Sequence, residues 1–75
     1  MTEGQAAVLQ SVMDVLFDKE TSNMHPSHAL SIEVARLTGM TLREVERQAE
    51  ALKSEGLIRI GRTLNYSYYE LTKKN

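Results

Sequence analysis

Two glycines and a threonine punctuate the middle of this chain and leave little choice about what lies between them. Gly39, Thr41 and Gly56 read as a stop, a start and a second stop. Glycine takes the left-handed conformation just past a helix C-terminus without steric cost. Thr41-Leu42-Arg43-Glu44 has the spacing of a capping box, in which each end residue's side chain accepts from the other's backbone N–H. Leu42, Val45, Ala49 and Leu52 then recur at the spacing of one helix face. A helix over about 41–55 follows, with Arg43, Arg47, Glu50 and Ser54 on the opposite face and Glu46 at its edge. Before Gly39, Ile32, Val34, Ala35 and Leu37 supply the apolar positions of a short helix over about 30–38, with Ser27 or Ser31 as its cap. Two helices joined by a three-residue turn are therefore expected.

Upstream, Val8, Leu9, Val12, Met13, Val15, Leu16 and Phe17 recur at spacings of three and four, which predicts a first helix over about 5–18 burying a broad stripe. It should stop near Lys19, where a polar stretch leads to Pro26, a residue that bars regular helix through its own position. Downstream of Gly56, two β-rich runs flank the turn Gly61-Arg62-Thr63-Leu64-Asn65 and predict a hairpin over about 57–71. Arg59 should point outward while Leu57 and Ile58 or Ile60 pack inward. Tyr66, Tyr68 and Tyr69 should cover the sheet and the first helix with their hydroxyls at the rim.

A chain of 75 residues cannot be divided into two cores, so a single domain over 1–75 is expected, mostly α with a hairpin of two or three strands. With no cysteine, neither a disulfide nor a thiolate zinc site can supplement the packing. No apolar run approaches the length that spans a bilayer, and the start MTEGQAAV lacks the basic and apolar stretches of a signal peptide, so a cytoplasmic location is expected. The formal charge of -1 conceals an asymmetry. In 1–30, Lys19 stands against Glu3, Asp14, Asp18 and Glu20, whereas in 57–75 Arg59, Arg62, Lys73 and Lys74 stand against Glu70. A local basic patch matters more than net charge for contacting phosphates.

The order helix, helix, turn, helix, hairpin resembles a winged helix-turn-helix. Ala35 is the small residue where the two helices meet, Gly39 lies in the turn, and Val45 closes the gap. The stretch from Val45 to Ile58, ending in Leu52-x-x-x-Gly56-Leu57-Ile58, is similar to regulators of the MarR and PadR families, as is Tyr68-Tyr69-Glu70-Leu71-Thr72. The resemblance covers about residues 28–72. It departs in two ways: the third helix carries Glu44, Glu46, Glu50 and Glu55, and no fourth, dimerising helix follows the hairpin.

The resemblance implies that Thr41, Leu42 and Arg43 meet the major groove, with Glu46, Arg47 and Glu50 further along the same face. Arg43 and Arg47 could bond guanine O6 and N7, and Glu46 or Glu50 could accept from cytosine N4. Otherwise Arg47 pairs with Glu44 or Glu50 in a solvated surface network. In the hairpin, Arg59, Arg62, Thr63 and Asn65 would reach backbone phosphate or the minor groove.

The expected function is sequence-specific binding of double-stranded DNA, in the manner of a transcriptional regulator. A homodimer through the first helix is expected, because Val8, Val12, Val15 and Phe17 spread beyond one narrow stripe. The alternative is a protein-interaction module whose acidic third helix and apolar first helix dock onto another polypeptide. RNA binding through the hairpin and its tyrosines is a third reading. His25 and His28 are too few to make a metal site, and no phosphate-binding glycine loop or nucleophile motif is present. No enzyme activity, metal or cofactor is expected.

Overall fold

A computed structural model of the chain describes residues 1–22 and 28–72. Its elements are α1 (Glu3–Thr21), β1 (Ala29–Leu30), α2 (Ser31–Thr38), α3 (Leu42–Ser54), β2 (Ile58–Arg62) and β3 (Ser67–Leu71). Three helices pack on a small antiparallel sheet of order β1-β3-β2, an α+β arrangement. The expected positions of Ser27, Pro26, His25, Lys73 and Lys74 lie outside the described residues.

The first helix is longer than its apolar stripe predicts. At its start Thr2 Oγ1 accepts from the Gln5 N–H at 3.1 Å, while Gln5 Oε1 accepts from the Thr2 N–H at 3.0 Å. This capping box satisfies two otherwise unpaired donors and carries the helix back to Glu3. At the far end the chain stays helical through Lys19. Lys19 Nζ donates to the His28 carbonyl at 2.6 Å and to Glu33 Oε1 at 2.9 Å, and the Glu33 carboxylate also accepts from the Leu30 N–H at 2.9 Å. That node fixes the end of α1 to the start of α2. It also replaces the expected serine cap: Ser31 lies inside α2 and is buried, and Glu33 caps the helix from within.

Gly39, at φ 75°, ends α2 in the left-handed conformation and donates to the Ala35 carbonyl at 2.9 Å. Thr41 Oγ1 accepts from the Glu44 N–H at 3.1 Å and starts α3. The reciprocal half of the expected box is absent, because the Glu44 carboxylate turns instead to Arg47 and Gln48. Gly56, at φ 77°, closes α3 in a Schellman arrangement: its N–H meets the Lys53 carbonyl at 2.9 Å and the Leu57 N–H meets the Leu52 carbonyl at 3.1 Å.

The core gathers Val8, Val12, Val15 and Leu16 of α1 with Val34, Val45, Ala49, Leu52 and Ile58. From β1 and the central strand β3 it adds Ala29 and Tyr69. Val8, Val12 and Val15 are fully or almost fully buried, and Phe17, the fourth apolar residue read as a dimer surface, is exposed. One expectation is corrected here. Tyr69 pairs with Ala29 on one side and Ile60 on the other, and its hydroxyl, expected at the rim, is buried without a partner. Strand β1 has no counterpart in the expected elements, since two residues are too few to show a pattern of alternation.

Candidate nucleic-acid interface

Helix α3 buries Val45, Ala49 and Leu52 and leaves its other face to solvent. Thr41, Leu42, Arg43, Glu46, Arg47 and Glu50 are all exposed. The spacing of three and four places Arg43, Arg47 and Glu50 on the side opposite the buried residues, with Glu46 at its edge, while Leu42 lies at the exposed start of the buried face. Thr41 holds the N-terminal turn through its cap, next to the free N–H groups of a helix start, which suit an anion. Arg43 has no ion pair among the described residues, whereas Arg47 is paired with Glu44, the i,i+3 surface pair that the sequence offers. The Glu44 carboxyl is held below its ordinary range first by the Gln48 side chain and then by Arg47.

The hairpin is the second part of the candidate surface. Arg59, Arg62, Thr63 and Asn65 are exposed as well. Thr63 fixes the turn: its N–H and hydroxyl both donate to the Tyr66 carbonyl, at 2.7 and 2.9 Å, and its Oγ1 accepts from the Tyr66 N–H at 3.0 Å. Leu64 stands fully exposed at the tip. Arg59 lies opposite Glu70, and Arg62 opposite Ser67.

Helix α3 packs against β2, so the two parts adjoin. Burial pushes the Tyr69 hydroxyl up to about 12, and the charges of Glu46 and Glu50 push in the same direction while Arg62 opposes them. The acidic side chains of α3 and the arginine at the end of β2 therefore act on one buried phenol. Arg59 lies apart from this group, in a groove with Met13, Phe17 and Leu71.

Sequence reasoning missed Leu64 and the buried Tyr69 hydroxyl. Leu64 could have been found from its place between Thr63 and Asn65, where a turn leaves a side chain nothing to pack on. The Tyr69 hydroxyl had no signal, because the burial of one tyrosine among three is decided by register. His28 lies with Nδ1 3.2 Å from Glu70 Oε2, outside hydrogen-bond alignment, and its ring is 4.2 Å from that of Tyr68. Among the described residues no group of three His, Cys, Asp or Glu could hold a metal ion, and no helix is long and apolar enough to cross a membrane. Comparisons with protein-family models, with curated proteins and with solved structures gave no match.

Proposed function

We propose that this chain is a winged helix-turn-helix domain that binds double-stranded DNA as a transcriptional regulator. In this reading α3 lies in the major groove and the β2–β3 hairpin rests on the backbone or in the minor groove. The observation that carries it is the exposure of one polar face along α3, beginning at a capped helix start and adjoining an arginine-bearing hairpin. Arg43 is the leading base contact, since no carboxylate among the described residues pairs with it, and Arg47 follows once it leaves Glu44. Arg59, Arg62, Thr63 and Asn65 supply backbone contacts. The reading requires no catalysis, metal or cofactor.

The test is a titration of nitrogen-15-labelled protein with a mixed-sequence duplex of about 16 base pairs at about 50 and 200 mM salt, where counterion release makes affinity salt-dependent. Salt-sensitive amide shifts concentrated at 41–47 and 59–65 are expected. A folded protein that shows no shifts at the lower salt overturns the reading. That outcome would favour the alternative, a protein-docking module, for which the Glu44–Arg47 pair on the exposed face of α3 is the supporting observation.

A further inference from the structure

The largest exposed apolar side chains of the helical layer lie around one residue. Phe17, on the outer face of α1, is 70% exposed, although its neighbours Leu16 and Val15 are core. On one side it shares a shallow groove with Met13 and Leu71, and on the other a second groove with Leu37 of α2, itself 61% exposed. Single exposed hydrophobic residues are ordinary, but four that meet along two adjoining grooves form the kind of patch that marks an interaction surface. Of the ten candidate DNA contacts only Arg59 lines either groove, so this face is distinct from the proposed DNA surface.

The charge around the patch identifies what fits it. Lys19 is taken up by Glu33 and the His28 carbonyl. Among the described residues, the grooves then present the carboxylates of Asp14, Asp18, Glu20 and Glu70 against the single guanidinium of Arg59. A second copy seated face to face would bring two acidic rims together, and like charges brought into an interface oppose association. A segment with an apolar stripe and flanking Lys or Arg would bury Phe17 and Leu37 while neutralising the rim.

We propose that the Phe17 face is a docking site for a basic amphipathic helix of another protein. Side chains at i, i+3 or i+4 and i+7 of that helix fill the two grooves astride Phe17, and its cations meet Asp14 and Asp18. The proposal is independent of DNA binding.

The test uses the full chain and two synthetic peptides of about 18 residues, long enough to form a helix. One carries leucines on one helical face and lysines on the other; its match carries glutamates in place of the lysines. Binding of the lysine peptide is expected to shift the amides of residues 13–18, 37 and 71. Phe17→Ser should weaken it about tenfold, as loss of a central anchor does, and the Asp14→Asn, Asp18→Asn double variant should weaken it severalfold. All three substitutions fall on exposed side chains, so both variants should keep the fold. Equal binding of the glutamate peptide, or absence of lysine-peptide binding, overturns the proposal. So does a dimer in sedimentation equilibrium that Phe17→Ser dissociates, which would assign the face to a second copy of this chain.

Discussion

Lys19 and Glu33, fourteen residues apart, meet at 2.9 Å with both side chains partly buried, and together they hold the end of α1 against the start of α2. Glu33 has two duties, since it also accepts from the Leu30 N–H and so caps its own helix. Replacing it with alanine removes a cap and strands the ammonium, and should cost about 1–2 kcal/mol in urea unfolding. Lys19→Met keeps the stem packed and should cost about 1 kcal/mol. A double-mutant cycle should give a coupling of about 0.5 kcal/mol or more; additivity would mean that the pair is solvated and the helices are joined by packing alone.

Tyr69 carries the one phenol that the fold hides completely, with no acceptor or donor for its hydroxyl among the described residues. An unsatisfied buried hydroxyl is a cost, so Tyr69→Phe should leave stability unchanged or raise it by up to about 1 kcal/mol. The ionisation of this phenol gives a second readout. Its value in the folded protein is raised from 10.0 to about 12, first by burial and then by Glu46. The neutral form is thus favoured by folding, and its contribution is fully present below the ordinary tyrosine value. It is lost as pH rises toward the folded value, because the unfolded chain ionises first. Stability should fall between pH 10 and 12, by at most about 1.4 kcal/mol per pH unit from this group, and Tyr69→Phe should flatten the decline. An unchanged slope in the variant would mean that the decline comes from other groups.

The contrast between these two sites shows what a sequence of this kind discloses. Gly39, Thr41 and Gly56 act locally, through backbone conformation and caps within four residues, and the helix bounds they predict agree with the structure to within one residue. Ala49 and Leu52 were legible because burial repeats with the helix period. The Lys19–Glu33 node depends on where elements separated by a loop come to rest, and no local pattern encodes that. For the candidate surface, the exposure of Arg43 and Arg47 followed from the same periodicity, whereas the packing of α3 against β2 beside the hairpin did not.

Gly61 and Tyr68 make a third testable pair. They are opposite one another on β2 and β3, and the ring of Tyr68 lies over the glycine: a Cβ added at Gly61 would collide with the outer end of the Tyr68 ring. Covering a strand glycine in this way restores packing that the missing side chain would otherwise forgo. Gly61→Ala must displace the ring, and the ring also faces His28 at 4.2 Å. Because the clash falls on the outer end of a side chain, a loss of about 1 kcal/mol is expected rather than unfolding. The imidazole resonances of His28 should move with the substitution, since ring-current shifts fall steeply with distance. Unmoved resonances would show that Tyr68 clears the new methyl without leaving His28.

Glu44 sits where the fold and the proposed function compete for one arginine. Its carboxylate bonds Gln48 and Arg47 together, and the Gln48 side chain is the larger cause of its lowered ionisation. A depressed value means that the contribution is present above the ordinary 4.5 and lost as pH falls through the folded value. Gln48→Ala should therefore raise the Glu44 midpoint, read from carbon-13 side-chain shifts, more than Arg47→Ala does. The same carboxylate occupies Arg47 and adds a negative charge to the helix proposed to face phosphates. Glu44→Gln keeps a side chain able to bond Gln48 but releases the guanidinium, and DNA affinity at about 100 mM salt should rise about three- to tenfold with a steeper salt dependence. Arg43→Ala should act the other way and weaken binding about tenfold, since that guanidinium has no carboxylate to leave. If Glu44→Gln leaves both affinity and salt slope unchanged while Arg43→Ala weakens binding, Arg47 does not reach the nucleic acid and the contact is confined to the first turn of α3.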